Sequence, residues 1–512
     1  MTSQFAAAPV LAESLTQALA QRLGEANVDR DAAARQLAGS DIFLWPDSLP
    51  PDLVLRPGST AEVADAVTLL AEAGCAVLPR GGGMSYTGGV VPTTPTVALD
   101  LRRLDTIRVV PEDFYAVVGA GTTWQALRDA LRPHGLRAVQ QSPISGSVST
   151  IGGAAAQNLP GGMEGIIGLT VVLADGSITR TGSGAQPDLP PFWRHHGPDL
   201  TGIFLGDCGA YGVKTEVVLR LAPERPAAFA SLGFPDAPSV LAAILRLVAT
   251  GFAGRAFAMD RAKAASASKV DLAEALRTAA AVAGQAGSIG QTLKRVAGLT
   301  RTRGDLEQNA WTLHLTVEGA TEAIAEALID QARKAIGPTA QVLTPSVPQA
   351  LHARPYSVRG MVGPEGERWV PVHGILAPSR AMGCLDALQA RIAQSEAALR
   401  DAEVSVNWIM SSVGPQVTIE PMMYWRDQLD PIHFQALSER HRARFGDIPP
   451  NPAARAAVTA LRAGLRNVFH AHGAVHAQLG RFYAPLPAYG LAARIKHMLD
   501  PAGRMNPGVL GL

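Results

Sequence analysis

Pro79-Arg80-Gly81-Gly82-Gly83-Met84-Ser85-Tyr86-Thr87-Gly88-Gly89 is the stretch on which the fold turns. It follows Cys75-Ala76-Val77-Leu78, an apolar run with the length of a short buried strand. A strand that runs straight into consecutive glycines presents backbone N–H groups without Cβ atoms in the way. Such a loop can cradle an anion, a pyrophosphate among them. The glycines lack the G-x-G-x-x-G spacing that opens a Rossmann helix, and Val90-Val91-Pro92 stands where that helix would begin. A G-x-x-x-x-G-K-[ST] loop is missing too.

Upstream, Ser59-Thr60-Ala61-Glu62 reads as a capping box. Val63, Ala66, Val67 and Leu70 continue it at helical spacing until Gly74. Downstream, Val97 to Leu101 and Tyr115 to Val118 read as strands, the second ended by Gly119-Ala120-Gly121. A helix is expected from about Trp124 to Leu131, and an irregular Ser/Gly-rich stretch from Gln140 to Gly162. Leu169 to Ile178 reads as a hairpin around Asp175-Gly176. A third glycine-rich segment, Gly206-Asp207-Cys208-Gly209-Ala210-Tyr211-Gly212, precedes a strand from Val213 to Leu221.

Pro223 and Pro226 break the pattern and set a domain boundary at 224/225. Beyond it, helices alternate with strands of antiparallel type. Helices are expected at Ser239–Gly251 (with Pro238 just before its start), Ala273–Val296, Ala320–Ile336 and Arg380–Ala397. Strands are expected at Trp311–Glu318, Trp369–Leu376, Val404–Ser411 and Val417–Pro421. That alternation is the mark of an α+β domain with helices on one face of a sheet. The chain is helical again from about Pro452.

Composition narrows the classes. A chain of 512 residues suggests two to four domains at roughly 150 residues each. Charged residues are 17% and the net charge is +1, which argues against a nucleic-acid surface. Fifty-one glycines and 37 prolines argue against a helical bundle or coiled coil. The three cysteines, Cys75, Cys208 and Cys384, are scattered, so neither a disulfide framework nor a cysteine zinc site is expected, and a reducing compartment fits. No signal-peptide pattern opens the sequence, and no apolar run reaches the roughly 18 residues of a membrane-spanning helix. The expectation is a cytoplasmic protein without an integral membrane segment, with peripheral membrane docking left open.

The glycine segments also carry a resemblance. Arg56-Pro57-Gly58-Ser59-Thr60-Ala61-Glu62-Val63, Pro79-Arg80-Gly81-Gly82-Gly83 and Leu99-Asp100-Leu101 resemble the start of the flavin-binding domain of the vanillyl-alcohol oxidase superfamily. Ser142-Pro143-Ile144-Ser145, Ser149-Thr150-Ile151-Gly152-Gly153 and Asn158 resemble its second FAD segment. Gly206 to Glu216 resembles its Gly-Ser-Glu-Gly-Thr-Leu-Gly-Ile-Ile-Thr-Glu element. Leu499-Asp500-Pro501 and Asn506-Pro507-Gly508 are similar to the tail of the glycolate oxidase and D-lactate dehydrogenase branch.

The resemblance implies an α+β protein with a two-subdomain, PCMH-type FAD-binding domain (1–224), an inserted α+β substrate or cap domain (225–455) and a C-terminal return to the FAD domain (456–512). It implies FAD contacts from Arg80, Gly81, Gly82, Gly83, Met84, Ser85, Gly88, Pro143, Ser149, Thr150, Gly152, Gly153, Asn158, Val213 and Asn506. Some relatives carry a histidine in the first loop that bonds covalently to the flavin. Met84 stands at that position, so noncovalent FAD is expected.

The chemistry is expected from polar residues of the middle domain and the C-terminal region. His373 lies at the end of an alternating strand with Trp369 and Pro371. Tyr424 and Arg426 share a face if their strand continues, and an arginine there can hold a carboxylate. His476, Arg481 and Tyr483 form a third cluster, and Arg354 and Arg359 are further anion candidates. Each of these groups has an ordinary structural reading beside the catalytic one. D-2-hydroxyacid dehydrogenases carry a metal-binding Glu-His pair where Gln478-Leu479 stands, so no catalytic metal is expected.

Oxidation of the C–OH carbon of a hydroxy acid, D-lactate or glycolate in type, is the leading reading. Oxidation of a phenolic or aromatic alcohol is the second, and an FAD-carrying electron-transfer subunit the third. A small-molecule substrate is expected; the electron acceptor, and the choice between a homodimer and a subunit of a complex, stay open.

Overall fold

The computed structural model describes residues 11–139, 143–157, 159, 163–268, 304–338, 340–356, 362–435, 437–476, 478–484, 486 and 488–512. Asn158, Arg359 and the helix expected at Ala273–Val296 lie outside them. The chain divides into two units. Unit 1 is formed by 1–224, 430–437 and 477–512, and unit 2 by 225–429 and 438–476. Among the described residues no helix is long and apolar enough to cross a membrane.

Unit 1 contains two sheets. The first has the order β1 (Val28–Asp29), β2 (Leu53–Leu55), β4 (Val97–Asp100), β3 (Val77–Arg80). Strands β2, β4 and β3 run parallel. Their fully buried apolar residues are what a parallel sheet covered on both faces requires. Leu53, Leu55, Val97 and Leu99 pack with Leu19 and Leu23 of the helix Glu13–Leu23, and with Val63, Ala66, Val67 and Leu70 of the helix Thr60–Glu72. Val54, Leu78 and Ala98 alternate to the other face and meet Ala38. Ser59 caps the second helix by accepting from the Glu62 amide at 3.1 Å, while the Glu62 carboxylate accepts from the Gly58 amide at 2.8 Å.

The second sheet is antiparallel: β5 (Ile107–Val110), β6 (Tyr115–Gly119), β10 (Val213–Pro223), β8 (Ile166–Val172), β9 (Ile178–Arg180), with β7 (Leu136–Ala138) also on β10. The stretch 140–162, expected to be irregular, holds a helix at Ile151–Gln157. Small residues hid it: Gly152 is required because a Cβ there would stand 2.6 Å from that of Ala120.

Unit 2 is built on one eight-stranded sheet. Its order is β14 (Gln341–Leu343), β11 (Ala227–Phe234), β13 (Trp311–Glu318), β12 (Arg255–Asp260), β17 (Ser405–Val413), β18 (Gln416–Trp425), β15 (Arg368–Pro371), with β16 (Gly374–Leu376) also on β18. The helices Ala237–Ala249, Glu322–Ile336 and Pro378–Ala393 pack on it. The first of these starts earlier than its proline suggested. Asp236 accepts from the Ser239 amide at 2.8 Å, and Pro238 sits inside the first turn, where its missing N–H costs nothing.

The expected return of the chain at 456 falls inside the helix Pro452–Ala471, which belongs to unit 2. That helix buries Val458, Leu461, Leu465 and Phe469 and packs on Pro378–Ala393, so the chain leaves unit 2 only after His476. The short passage 430–437 belongs to unit 1 and had no signal in the sequence reading.

Candidate functional site

In unit 1 the first glycine loop leaves the end of β3 and is largely buried. A Cβ on Gly81 would collide with Thr150 Oγ1, and one on Gly82 with the Val148 carbonyl oxygen. Gly83 has φ +70, and its missing Cβ makes room for the Arg80 guanidinium. The glycines are therefore needed first for packing: they let the loop lie against Val148–Thr150 of the second segment. The amides of Gly82, Gly83, Met84 and Ser85 donate to no backbone or side-chain acceptor among the described residues. Buried amides need partners, and four successive ones suit the diphosphate bridge of a dinucleotide. The cradle thus fits FAD, with these four residues holding the bridge.

Two buried side chains set the loop. Arg80 donates from Nη1 to the carbonyls of Ala38 (2.9 Å) and Ser40 (2.6 Å), while its Nη2 has no partner among the described residues. Burial lowers its pKa to about 10, which leaves it a cation beneath the loop. Asp41, missed in the sequence because no motif surrounds it, accepts from the amides of Phe43 and Gly88 and from Trp45 Nε1, all within 2.9 Å. Gly88 has φ +76 and lies against Trp45 and Arg481.

The remaining cofactor candidates fall into two groups. Ser149 and Thr150 stay with the cradle: Ser149 Oγ pairs with Ser145 Oγ at 2.6 Å, and Thr150 Oγ1 accepts from the Gly153 amide at 3.2 Å. Pro143 closes a turn by accepting from the Gly146 amide. Val213 and Asn506 serve the frame. Val213 faces Val172 in the sheet, and its side chain is in the core. Asn506, at φ +43, donates from Nδ2 to the carbonyls of Gly89 (2.8 Å) and Cys208 (2.6 Å). The third glycine segment turns two of its amides onto its own carboxylate. Asp207 accepts from the amides of Gly209 and Tyr211 and pairs with Lys214 Nζ at 2.5 Å.

Arg481 and Tyr483 also belong to unit 1. Arg481 pairs with Asp47 at 2.8 Å and lies over the Trp45 ring at 4.9 Å. Tyr483 is buried against Phe482.

Unit 2 holds the other candidates. Strand register sorts its sheet into two faces. Ala230, Leu232, Leu313, Leu315, Ala258, Met410, Ile419 and Met423 share one, a mainly apolar face that also carries Asp260, Arg368 and Ser412 at strand ends. The other carries Ser231, His314, Thr312, Ser411, Asn407, Thr418, Glu420, Tyr424 and Trp369. His314 is satisfied within it by Ser231 (2.8 Å) and Thr312 (3.0 Å), and burial lowers its pKa to about 3.

At one end of this polar face Trp369 stacks on Tyr424, with centroids 6.3 Å apart. Lys263 Nζ donates to Tyr424 Oη at 2.6 Å. Asp260 fixes that lysine by accepting from its amide at 2.8 Å, which starts the helix Arg261–Ser268. Burial, with the Glu420, Asp260 and Glu367 carboxylates, raises the Tyr424 pKa; burial alone raises Glu420 to about 7 against the pull of Lys263. Arg426 does not join them. The strand ends at Trp425, so the alternation that would align it with Tyr424 stops, and Arg426 is exposed.

His373 and His476 form a second group. His476 Nδ1–H donates to the His373 carbonyl at 2.7 Å, which leaves Nε2 as the basic ring nitrogen. Burial, His476 and Arg462 lower His373 to about 3; burial, against the His373 carbonyl, lowers His476 to about 4. Both rings are neutral near pH 7. Among the described residues no three His, Cys, Asp or Glu side chains are placed to hold a metal ion.

Residues 51–182 match the family described as an FAD binding domain. The glycolate oxidase subunit GlcD of Bacillus subtilis is 31% identical over 225 residues, 42% of this chain and 46% of that protein. A probable mitochondrial D-lactate dehydrogenase of Danio rerio is 28% identical over 261 residues, 48% of this chain and 50% of that protein. The chain thus spans about half the length of the curated relatives it matches. In fold it is similar to 4-ethylphenol oxidase from Gulosibacter chungangensis in complex with isoeugenol (TM-score 0.72, 18% identity, 97% of this chain and 96% of that one). It is also similar to p-cresol methylhydroxylase (TM-score 0.71, 16% identity, 98% and 96%). Residues 51–182 thus form an FAD binding domain, and the chain has the α+β fold of these two flavin oxidoreductase structures.

Proposed function

We propose that the protein is an FAD-dependent oxidoreductase that removes hydride from the hydroxyl-bearing carbon of a hydroxy acid of the D-lactate or glycolate type. The observation that carries this reading is the row of four amides at Gly82–Ser85 with no acceptor among the described residues, within the residues that match the FAD binding domain. FAD, when bound, supplies the hydride acceptor. The chain's own residues bind it without a covalent bond, since the Met84 thioether offers no nucleophile from the loop. The D-lactate and glycolate names of the sequence relatives support the substrate class.

In unit 2 the neutral His476 is the proton acceptor of this reading. Its Nε2 carries the lone pair because Nδ1–H is held by the His373 carbonyl. His373 positions it. A second reading, oxidation of a phenol, draws on one observation, the Trp369–Tyr424 stack, an aromatic wall that suits a flat ring.

The test is an absorption spectrum of the purified protein followed by anaerobic titration. The leading reading expects a yellow protein bleached by D-lactate or glycolate. Bleaching by 4-ethylphenol alone transfers the case to the second reading, and a protein that stays colourless after incubation with FAD ends both.

A further inference from the structure

Lys263 and Tyr424 carry more hydrogen-bonding capacity than the described residues use. An ammonium has three N–H groups. Lys263 spends one on Tyr424 Oη at 2.6 Å and makes no ion pair within 4 Å with any described carboxylate. The Tyr424 hydroxyl accepts that bond and, among the described residues, turns its own proton to Met422 Sδ at 3.8 Å, a poor acceptor. Trp369 closes one side, 5.9 Å from Lys263 Nζ to the ring centroid. Tyr424 is 6% exposed, while Lys263, Trp369 and Glu420 are partly exposed, so the group can be reached. Donors in such a place are costly to leave unpaired.

We propose that Lys263 and Tyr424 form an oxyanion subsite: two N–H groups of the lysine and the hydroxyl of the tyrosine receive one anionic oxygen group of a small molecule, with Trp369 as its apolar wall. The assignment rests on the oxidoreductase reading for its substrate classes, since a hydroxy acid brings a carboxylate and a phenol brings a phenolate. Charge within the cluster permits an anion. Among the described residues, the Asp260 and Glu420 carboxylates act on Lys263, and Glu367 acts with them on Tyr424. Burial pushes Asp260 up, and Glu420 to about 7, which reduces the negative charge an incoming anion meets. Nothing in the sequence joins the pair, which is 161 positions apart.

The test is binding to the FAD-loaded protein, read by equilibrium dialysis and by difference absorption, without turnover. The probes are D-lactate, its uncharged amide, and 4-ethylphenol. For a carboxylate source, Lys263→Met weakens D-lactate about tenfold or more and leaves the amide unchanged, as loss of a charged hydrogen bond requires. For a phenolate source, 4-ethylphenol acquires phenolate absorption on the parent protein and loses it on Lys263→Met and Tyr424→Phe. Lys263→Arg keeps the charge and retains most of the affinity. Circular dichroism and bound-flavin content establish that each variant is folded, and Tyr424→Phe serves if Lys263→Met is not. Unchanged binding of D-lactate and 4-ethylphenol in the folded variants, or no binding of either to the parent, overturns the subsite. A parent that binds an anion through Lys263 but never bleaches overturns the oxidoreductase reading alone.

Discussion

Gly82 and Glu420 are the two residues whose replacement says most. A Cβ on Gly82 would run into the Val148 carbonyl oxygen, a backbone atom that cannot swing aside. Gly82→Ala is expected to cost about 1–3 kcal/mol, the range of an overpacked contact, and to spoil the amide row. The ratio of flavin to protein absorbance should fall together with the melting temperature; a variant that keeps full flavin content would count against the cradle. At Glu420, burial lifts the carboxyl from 4.5 to about 7. Between those values the folded chain holds the proton more tightly than the unfolded chain, so stability drops as pH rises, by roughly 3 kcal/mol in all, and is level above. Glu420→Gln should therefore gain on the parent from pH 5 to pH 8 in denaturant midpoints; a gap that does not change with pH would refute this. The glycine loop was legible in the sequence because only glycine meets its backbone and packing demands. Lys263 was not, because its partner is fixed by tertiary structure. Arg426 was misplaced because strand alternation was carried one residue past Trp425.

Among elements, the helix starts were the most legible, since Ser59, Thr123 and Thr321 each cap through a local bond that short-range pattern can reveal. The helix Ile151–Gln157 was lost among small residues that score as loop. The third glycine segment looked like another anion cradle, yet Asp207 takes up its amides at Gly209 and Tyr211. No local pattern distinguishes an internal carboxylate from an external phosphate as the acceptor. Asn506 joins this segment to the first loop through the Gly89 and Cys208 carbonyls. Asn506→Ala leaves two buried carbonyls without that donor, at about 1–3 kcal/mol each. The expected outcome is a lower unfolding midpoint with faster flavin release in dilution experiments. Unaltered release would mean that the joint does not support the cradle.

At the level of the whole molecule, acid should act first on unit 2. His314 and His373 are depressed to about 3 and His476 to about 4, all three in unit 2. A histidine depressed in the folded state is protonated more readily when unfolded, so stability is lost as pH falls below 6.5. Glu420 and Asp260, both raised by burial, work in the opposite direction over part of that range. Hydrogen-exchange protection, corrected for the intrinsic pH dependence of amide exchange, should fall at pH 5 relative to pH 7 in β11, β12 and β13; a loss of protection confined to β2, β3 and β4 would contradict the assignment. Acid precipitation should also leave the pellet colourless and the flavin in solution, as a noncovalent cofactor requires. The Asn506 tie has a consequence for synthesis. Gly89 emerges from the ribosome 417 residues before the amide that will brace it. At about 5–20 residues per second, that is roughly 20 to 80 seconds in which the nascent loop exists without its brace. Where capture of the coenzyme needs that brace, it waits for the closing moments of translation or for the released polypeptide.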